Sequence, residues 1–406
     1  VNILITNALP LNGGDEAILR ATRLALLERW PQARIAILCR HVLKSRALLP
    51  DLDLSPDLES AVEVAPAPLR LLAQASGRLP ALRRLGVRPA TFERARDRRG
   101  IVERYRAADL VISAPGGFLH DFYPIEARLR GFELALKLGK PLVLFAQSLG
   151  PFSKPESLRR IPEVLNRAAR ICVRDAISRQ HLLNCGVEET RIIETADAAF
   201  LWRRLAPDVF CAKKGVVRTV GMCFRAWPLH DLPAAAATVA KAVALCRELL
   251  VDPARRLLFL STCQGVAGYI DDSEMAAQIV VELPAEMRAR CEVDRERRRP
   301  RELILALGAC DVFIGMRLHA CLLAMLGGTP AFGLGYEDKT PGIYGQLGLE
   351  RWQLPFGQNA EAWLGGVRHF LQNLPQISAA LPAALDRAAA LAGRNLDAVA
   401  SALPNS

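Results

Sequence analysis

Short apolar runs alternate with helix-length segments along most of this chain, the pattern of α/β domains built on largely parallel sheets. In the first half the runs "NILIT", "RIAILC", "AVEVA", "DLVISA", "PLVLFAQ", "RICVRD" and "RIIETA" predict strands. Between them, Asp15 to Arg29 and Ile125 to Leu138 predict helices. The text turns irregular and charged at "RRLAPDVFCAKKG", and a second set of strands begins with "VVRTVGMCF", "RLLFLST", "DVFIG" and "PAFGL". That break predicts two α/β domains, 1–210 and 215–406, the second carrying C-terminal helices. One segment breaks the alternation. Leu69 to Arg106 is arginine-dense with leucines between, and reads as a helical insertion. As a basic amphipathic surface it would suit a peripheral contact with an anionic membrane. A second basic run, Arg295 to Arg301, reads as an exposed loop before a helix.

Composition narrows the class. The 406 residues are 51% apolar and 23% charged, the balance of a globular chain, and the length favours two cores over one. A formal charge of +11 points to an anionic partner. Nucleic acid is a poor fit, because the basic runs lack interleaved aromatics. The ten cysteines form no CxxC pair and no zinc spacing, so no metal site is expected and a reducing compartment is. No cationic leader with a long apolar segment opens the sequence, and no run approaches the roughly 18 apolar residues that span a bilayer. A cytoplasmic location, at or near the inner face of the membrane, is the expectation.

Candidate chemistry lies where strands end, because open α/β sheets bind ligands beyond their carboxyl edge. After the first strand, Asn12, Gly13, Gly14 and Asp15 form a polar turn into a helix whose free N–H groups favour an anion or hydroxyl-rich ligand. The turn is not GxGxxG, so a dinucleotide fingerprint is not supported. "APGGFLHDF" places Gly116, Gly117, His120 and Asp121 at another strand end, and Gln147 ends the strand after that. In the second domain Arg225, Gln264 and Arg317 close three strands. Arg225 and Arg317 on one sheet edge would converge on an anion, with the helix beginning near Leu318 behind them. His319, in that helix's first turn, would reach the same ligand as a proton donor or acceptor.

These blocks resemble the polysaccharide pyruvyl transferase family over nearly the whole chain. The similarity runs from "NGGDEAIL" through the glycine loop, "GKPLVLFAQSLGPF", "ICVRDAISRQHLLNCGV" and "DAAF" to "FRAW" and "GMRLHACLLAMLGGTPAFGLGYEDK". The resemblance implies two Rossmann-like domains facing a cleft, as in GT-B enzymes. It implies phosphoenolpyruvate as donor, bound by Arg225, Arg317, Leu318 and His319, with His319 catalytic; Lys339 is a further candidate for anion contact. Asn12 to Asp15, Gly116, Gly117, His120, Asp121, Gln147 and Gln264 would then line the acceptor side. The acceptor would be a sugar or lipid-linked oligosaccharide, and no separate cofactor or metal is implied. Two places depart from the family's pattern: Pro115 stands in the glycine run, and "STCQ" keeps only the glutamine of the usual turn. The alternatives are a GT-B glycosyltransferase using a nucleotide sugar, with Glu337 as ribose ligand, and a non-catalytic glycan-binding relative.

Overall fold

The alternation becomes two parallel sheets wound the same way. The computed structural model describes residues 1–58, 99–213, 215–227 and 232–403. The first sheet holds β1 (Asn2–Ala8), β2 (Arg34–Cys39), β3 (Leu54–Pro56), β4 (Leu110–Ser113), β5 (Gly116–Leu119), β6 (Leu142–Leu149), β7 (Arg170–Val173) and β8 (Ile192–Glu194). Its order is β3-β2-β1-β4-β6-β7-β8, with β5 paired to β6 alone. The second holds β9 (Thr219–Cys223), β10 (Arg256–Phe259), β11 (Cys291–Val293), β12 (Val312–Gly315), β13 (Ala331–Gly335) and β14 (Gln353–Pro355), in the order β11-β10-β9-β12-β13-β14. Each chain path runs outward from its first strand and then returns to that strand's other side. The reversal opens a crevice between β1 and β4 in one domain, and between β9 and β12 in the other. Ligand sites form at such switch points.

The strand runs are apolar because both sheet faces are covered. All eight residues of β6 are buried, for example. The helices that matter for the cleft are α1 (Gly13–Arg29), α2 (Pro155–Leu165), α3 (Asp272–Val281), α4 (Leu318–Leu326), α5 (Lys339–Leu347) and α6 (Leu374–Ala402). The "AVEVA" run and most of the arginine-rich insertion, with its membrane expectation, lie outside the described residues. Residues 99–107 are helical. No helix among the described residues is long and apolar enough to cross a membrane.

The chain's last helix crosses back. Although it follows the second sheet, α6 packs against β6 and β7 of the first. Its Asn395 is fully buried, accepts from the Ala146 N–H at 2.9 Å and the Thr195 hydroxyl at 3.1 Å, and donates to the carbonyls of Ala392 and Ala196. Ala146 has φ of 47°, where the register of β6 shifts. A non-glycine residue in that region is strained, and its amide has left the ladder. Asn395 therefore supplies the hydrogen bond that the bulge gave up. Asn395→Ala should cost about 1–3 kcal/mol by stranding that buried amide. Urea denaturation would show it as a lowered midpoint; an unchanged midpoint would mean that the helix does not hold the bulge.

Candidate active site

Two helix N-termini, one from each domain, meet in the cleft. After β1, Asn12 caps α1 by accepting from the Gly14 N–H at 2.8 Å. After β12, Arg317 occupies the N-cap of α4, Leu318 is buried behind it, and His319 stands in the first turn. A Cβ on Gly14 would lie 2.6 Å from the His319 Cβ, and one on Gly13 would lie 3.0 Å from the Thr262 carbonyl oxygen. That oxygen accepts from the Gly13 N–H at 2.6 Å. The paired glycines are thus required by the approach of the second domain, which brings α1 against the histidine.

Beneath His319 lies a buried chain of charge. Its Nε2 is 3.4 Å from Oδ2 of Asp197, which also pairs with Arg174 Nη1. Oδ1 of Asp197 accepts from the Ala199 N–H at 2.8 Å. Arg174 donates to the Ser148 hydroxyl at 2.8 Å, and Ser148 to Asp175 at 2.7 Å. Burial would raise the Asp197 carboxyl, but the Arg174 and His319 charges more than offset it and hold it well below the carboxylate range.

Arg317 and Arg225, expected to converge on one anion, each hold a protein partner of their own. Arg317 directs Nε and Nη2 at the two oxygens of Asp272, both at 2.7 Å, and Ser261 donates to the same carboxylate at 2.5 Å. This bidentate pair fixes the start of α4 and leaves Nη1 as the guanidinium's group outside it. Burial would lower the Arg317 pKa, yet Asp272 holds it well above its ordinary value. Arg225 donates from Nη1 to the Tyr336 hydroxyl at 2.8 Å and lies 4.8 and 4.9 Å from the Trp227 and Tyr336 ring centres. Its Nε is buried with no partner among the described residues. Lys339, in the first turn of α5, pairs with Glu337 at 2.5 Å.

Between the two domains is a cavity of about 260 Å³ lined by Gly117, His120, Phe122, Ser148, Asp175 and His181 from the first and Tyr336, Glu337 and Lys339 from the second. Gly117 is held small by Arg174, whose Nη2 would be 3.3 Å from an added Cβ. His120 is buried, its Nδ1 accepts from the Phe122 N–H at 3.3 Å, and its Nε2 has no partner among the described residues. Burial keeps its pKa below the ordinary value.

Three residues expected in the cleft are committed elsewhere. Asp121 caps α2, accepting from the Ser153 and Lys154 N–H groups at 2.6 and 2.8 Å and from Ser157 at 2.5 Å. Gln147 is fully buried and donates to the Ser113 hydroxyl and the Ala114 carbonyl. Gln264 binds the Ser261 N–H, Asp294 and the Glu296 carbonyl, fixing the loop after β10. Conversely, Arg174 and Asp197 went unmarked in the sequence. Arg174 directly follows β7, so the strand-end rule that selected Arg225 and Arg317 would have found it.

The architecture is GT-B-like, two Rossmann-like domains with a cleft between them. Similar folds occur in a UDP-N-acetylglucosamine 2-epimerase from Neisseria meningitidis (TM-score 0.57, 10% identity, 98% of this chain and 99% of that one). HepE of Anabaena, solved with UDP-glucose, gives 0.54 at 14% identity over 98% and 96%. The family model for polysaccharide pyruvyl transferase matches residues 12–338, and the chain belongs to that family. It is 26% identical over 260 residues to the amylovoran biosynthesis protein AmsJ of Erwinia amylovora, a match spanning 61% of each chain.

Removing one member of a buried ion pair leaves the other charge without a partner, a loss of about 3–5 kcal/mol. Asp272→Ala should therefore lower stability by that order in chemical denaturation. A loss under about 1 kcal/mol would show that Arg317 is held by something other than this pair.

Proposed function

We propose that the protein transfers the pyruvyl group of phosphoenolpyruvate to two hydroxyls of a sugar in an exopolysaccharide or cell-wall glycan precursor, forming a ketal and releasing phosphate. The observation that carries this reading is the meeting of His319, Arg174 and Lys339 from three strand ends at the N-terminus of α4, against α1 of the facing domain. Phosphoenolpyruvate puts a carboxylate and a phosphate on a three-carbon frame. Its recognition needs cations from more than one direction, with helix N–H groups to complement them.

The chemistry begins with a proton. His319 as imidazolium protonates the methylene carbon, and an oxocarbenium-like centre develops at C2. One sugar hydroxyl adds there, phosphate departs with the electrons of its C–O bond, and the second hydroxyl closes the ring. Asp197 orients the imidazole from behind, while Lys339 and Arg174 face the departing phosphate. Arg225, cushioned between two aromatic rings, offers its free Nε to the same anion. Arg317 acts chiefly by shaping the start of α4. The acceptor ring is assigned to the cavity beside His120 and Phe122, where hydroxyl-binding groups and exposed aromatic surface lie together.

The nucleotide-sugar alternative asks Glu337 to hold a ribose. That carboxylate is instead paired with Lys339 at 2.5 Å.

The test uses the purified protein with phosphoenolpyruvate and an extract of lipid-linked or free oligosaccharide precursors. The expected product is an acceptor heavier by one pyruvate minus water, with one phosphate released per acceptor. His319→Gln should reduce turnover by about 10²–10⁴-fold while leaving thermal stability unchanged. Consumption of a nucleotide sugar without phosphate release from phosphoenolpyruvate would overturn the assignment.

A further inference from the structure

We infer that Asp15 is a second catalytic acid, which protonates the bridging oxygen of the phosphate as it leaves and takes back the proton of the ring-closing hydroxyl. This rests on the pyruvyl transfer reading. Asp15 lies in the first turn of α1, next to the glycine whose added Cβ would touch His319. The other carboxylates around the donor site have partners among the described residues: Asp197 pairs with Arg174, Asp272 with Arg317 and Glu337 with Lys339, and Asp175 accepts from Ser148 and the Ser178 N–H. Asp15 alone, among the described residues, is half-buried there with no hydrogen bond or ion pair. It faces His319 and Arg317 from α4, Lys339 from α5, Arg174 from the end of β7, and Cys263 and Tyr269 from the loop after β10.

An unpaired carboxylate in the seat of a multiply charged anion is a contradiction as long as it is ionised. Protonated, it becomes a hydrogen-bond donor to that anion. Burial already raises the Asp15 pKa, against the pull of His319, Lys339, Arg174 and Arg317, and the arriving phosphate and carboxylate push it further the same way.

The proton count closes with two acids. His319 gives a proton to the methylene carbon and recovers one from the first sugar hydroxyl. Asp15 gives a proton to the bridging oxygen as the C2–O bond breaks. It recovers one when the second hydroxyl forms the other C2–O bond. Two hydroxyl protons enter, and the enzyme ends as it began.

Three measurements on the protein decide it. Calorimetric titration with phosphoenolpyruvate, in buffers of differing ionisation heat near neutral pH, reads the protons taken up on binding. Wild type should take up close to one more than Asp15→Asn, and His319→Gln should retain the Asp15 share. In steady state, Asp15→Asn should keep phosphoenolpyruvate affinity within threefold and lose about 100-fold in turnover, with Asp15→Glu recovering part. Rapid quench of the asparagine variant should show the phosphate-bearing tetrahedral adduct accumulating. Equal proton uptake, or phosphate release at the wild-type rate by Asp15→Asn, overturns the inference and leaves pyruvyl transfer standing. A wild-type protein that releases no phosphate from phosphoenolpyruvate with acceptor overturns both.

Discussion

A single buried carboxylate ties the two halves of the site together. Asp197 belongs to the first domain and sits between Arg174 of the same domain and His319 of the other. Arg174 is 1% exposed and Asp197 0%, so neither charge is solvated except by its neighbours. Losing one partner of such a pair costs about 3–5 kcal/mol, because the remaining charge stays in a medium that cannot stabilise it. The pair therefore fixes where Arg174 ends and sets a buried negative charge 3.4 Å from the imidazole Nε2. Everything proposed for the chemistry depends on that placement.

Close approach of the domains is the second requirement, and contacts around the cleft enforce it. The Gly13 N–H binds the Thr262 carbonyl across the gap, and Lys44 donates to the carbonyls of Ala267 and Gly268 at 3.2 and 3.0 Å. Arg297 reaches the buried carboxylate of Glu16 at 2.5 Å, and Arg299 reaches Asp51 at 3.0 Å. The basic run from Arg295 to Arg301 does lead into a helix and is exposed at Arg295 and Arg301, while Arg297 and Arg299 bridge to the first domain. Arg20 completes the network by binding both Glu16 and Asp51. The return of α6 to the first sheet adds a further crossing between the domains.

Much of this was legible from the chain. The long, fully buried strands announced themselves as apolar runs, and the largely parallel sheets followed from their alternation with helices, while the strand order emerged only in the fold. The strands that were missed, β3, β11 and β14, are three residues each at the outer edges of the sheets, too short to show a pattern. β5 was hidden because "GGFL" reads as a loop, and it is both a glycine approach and a strand. At the site, Arg317 and His319 stood out as polar residues in apolar text. Their partners did not. Asp272 is 45 positions from Arg317, and the two meet only because β10 and β12 both flank β9. Asp197 and Arg174 come from neighbouring strand ends, a pairing that spatial strand order decides. Asp121 and Gln147 looked like cleft residues for the same reason: strand ends supply caps and core hydrogen bonds as readily as ligand contacts.

The most direct test of the account is a crystal structure of the protein grown with phosphoenolpyruvate. The account places the phosphate within hydrogen-bond distance of Arg174 and Lys339, with the methylene carbon facing His319 and the whole molecule at the N-terminus of α4. It would be contradicted by phosphoenolpyruvate bound away from His319, or by an empty donor site in the same crystals that accept a nucleotide sugar with its diphosphate on that helix.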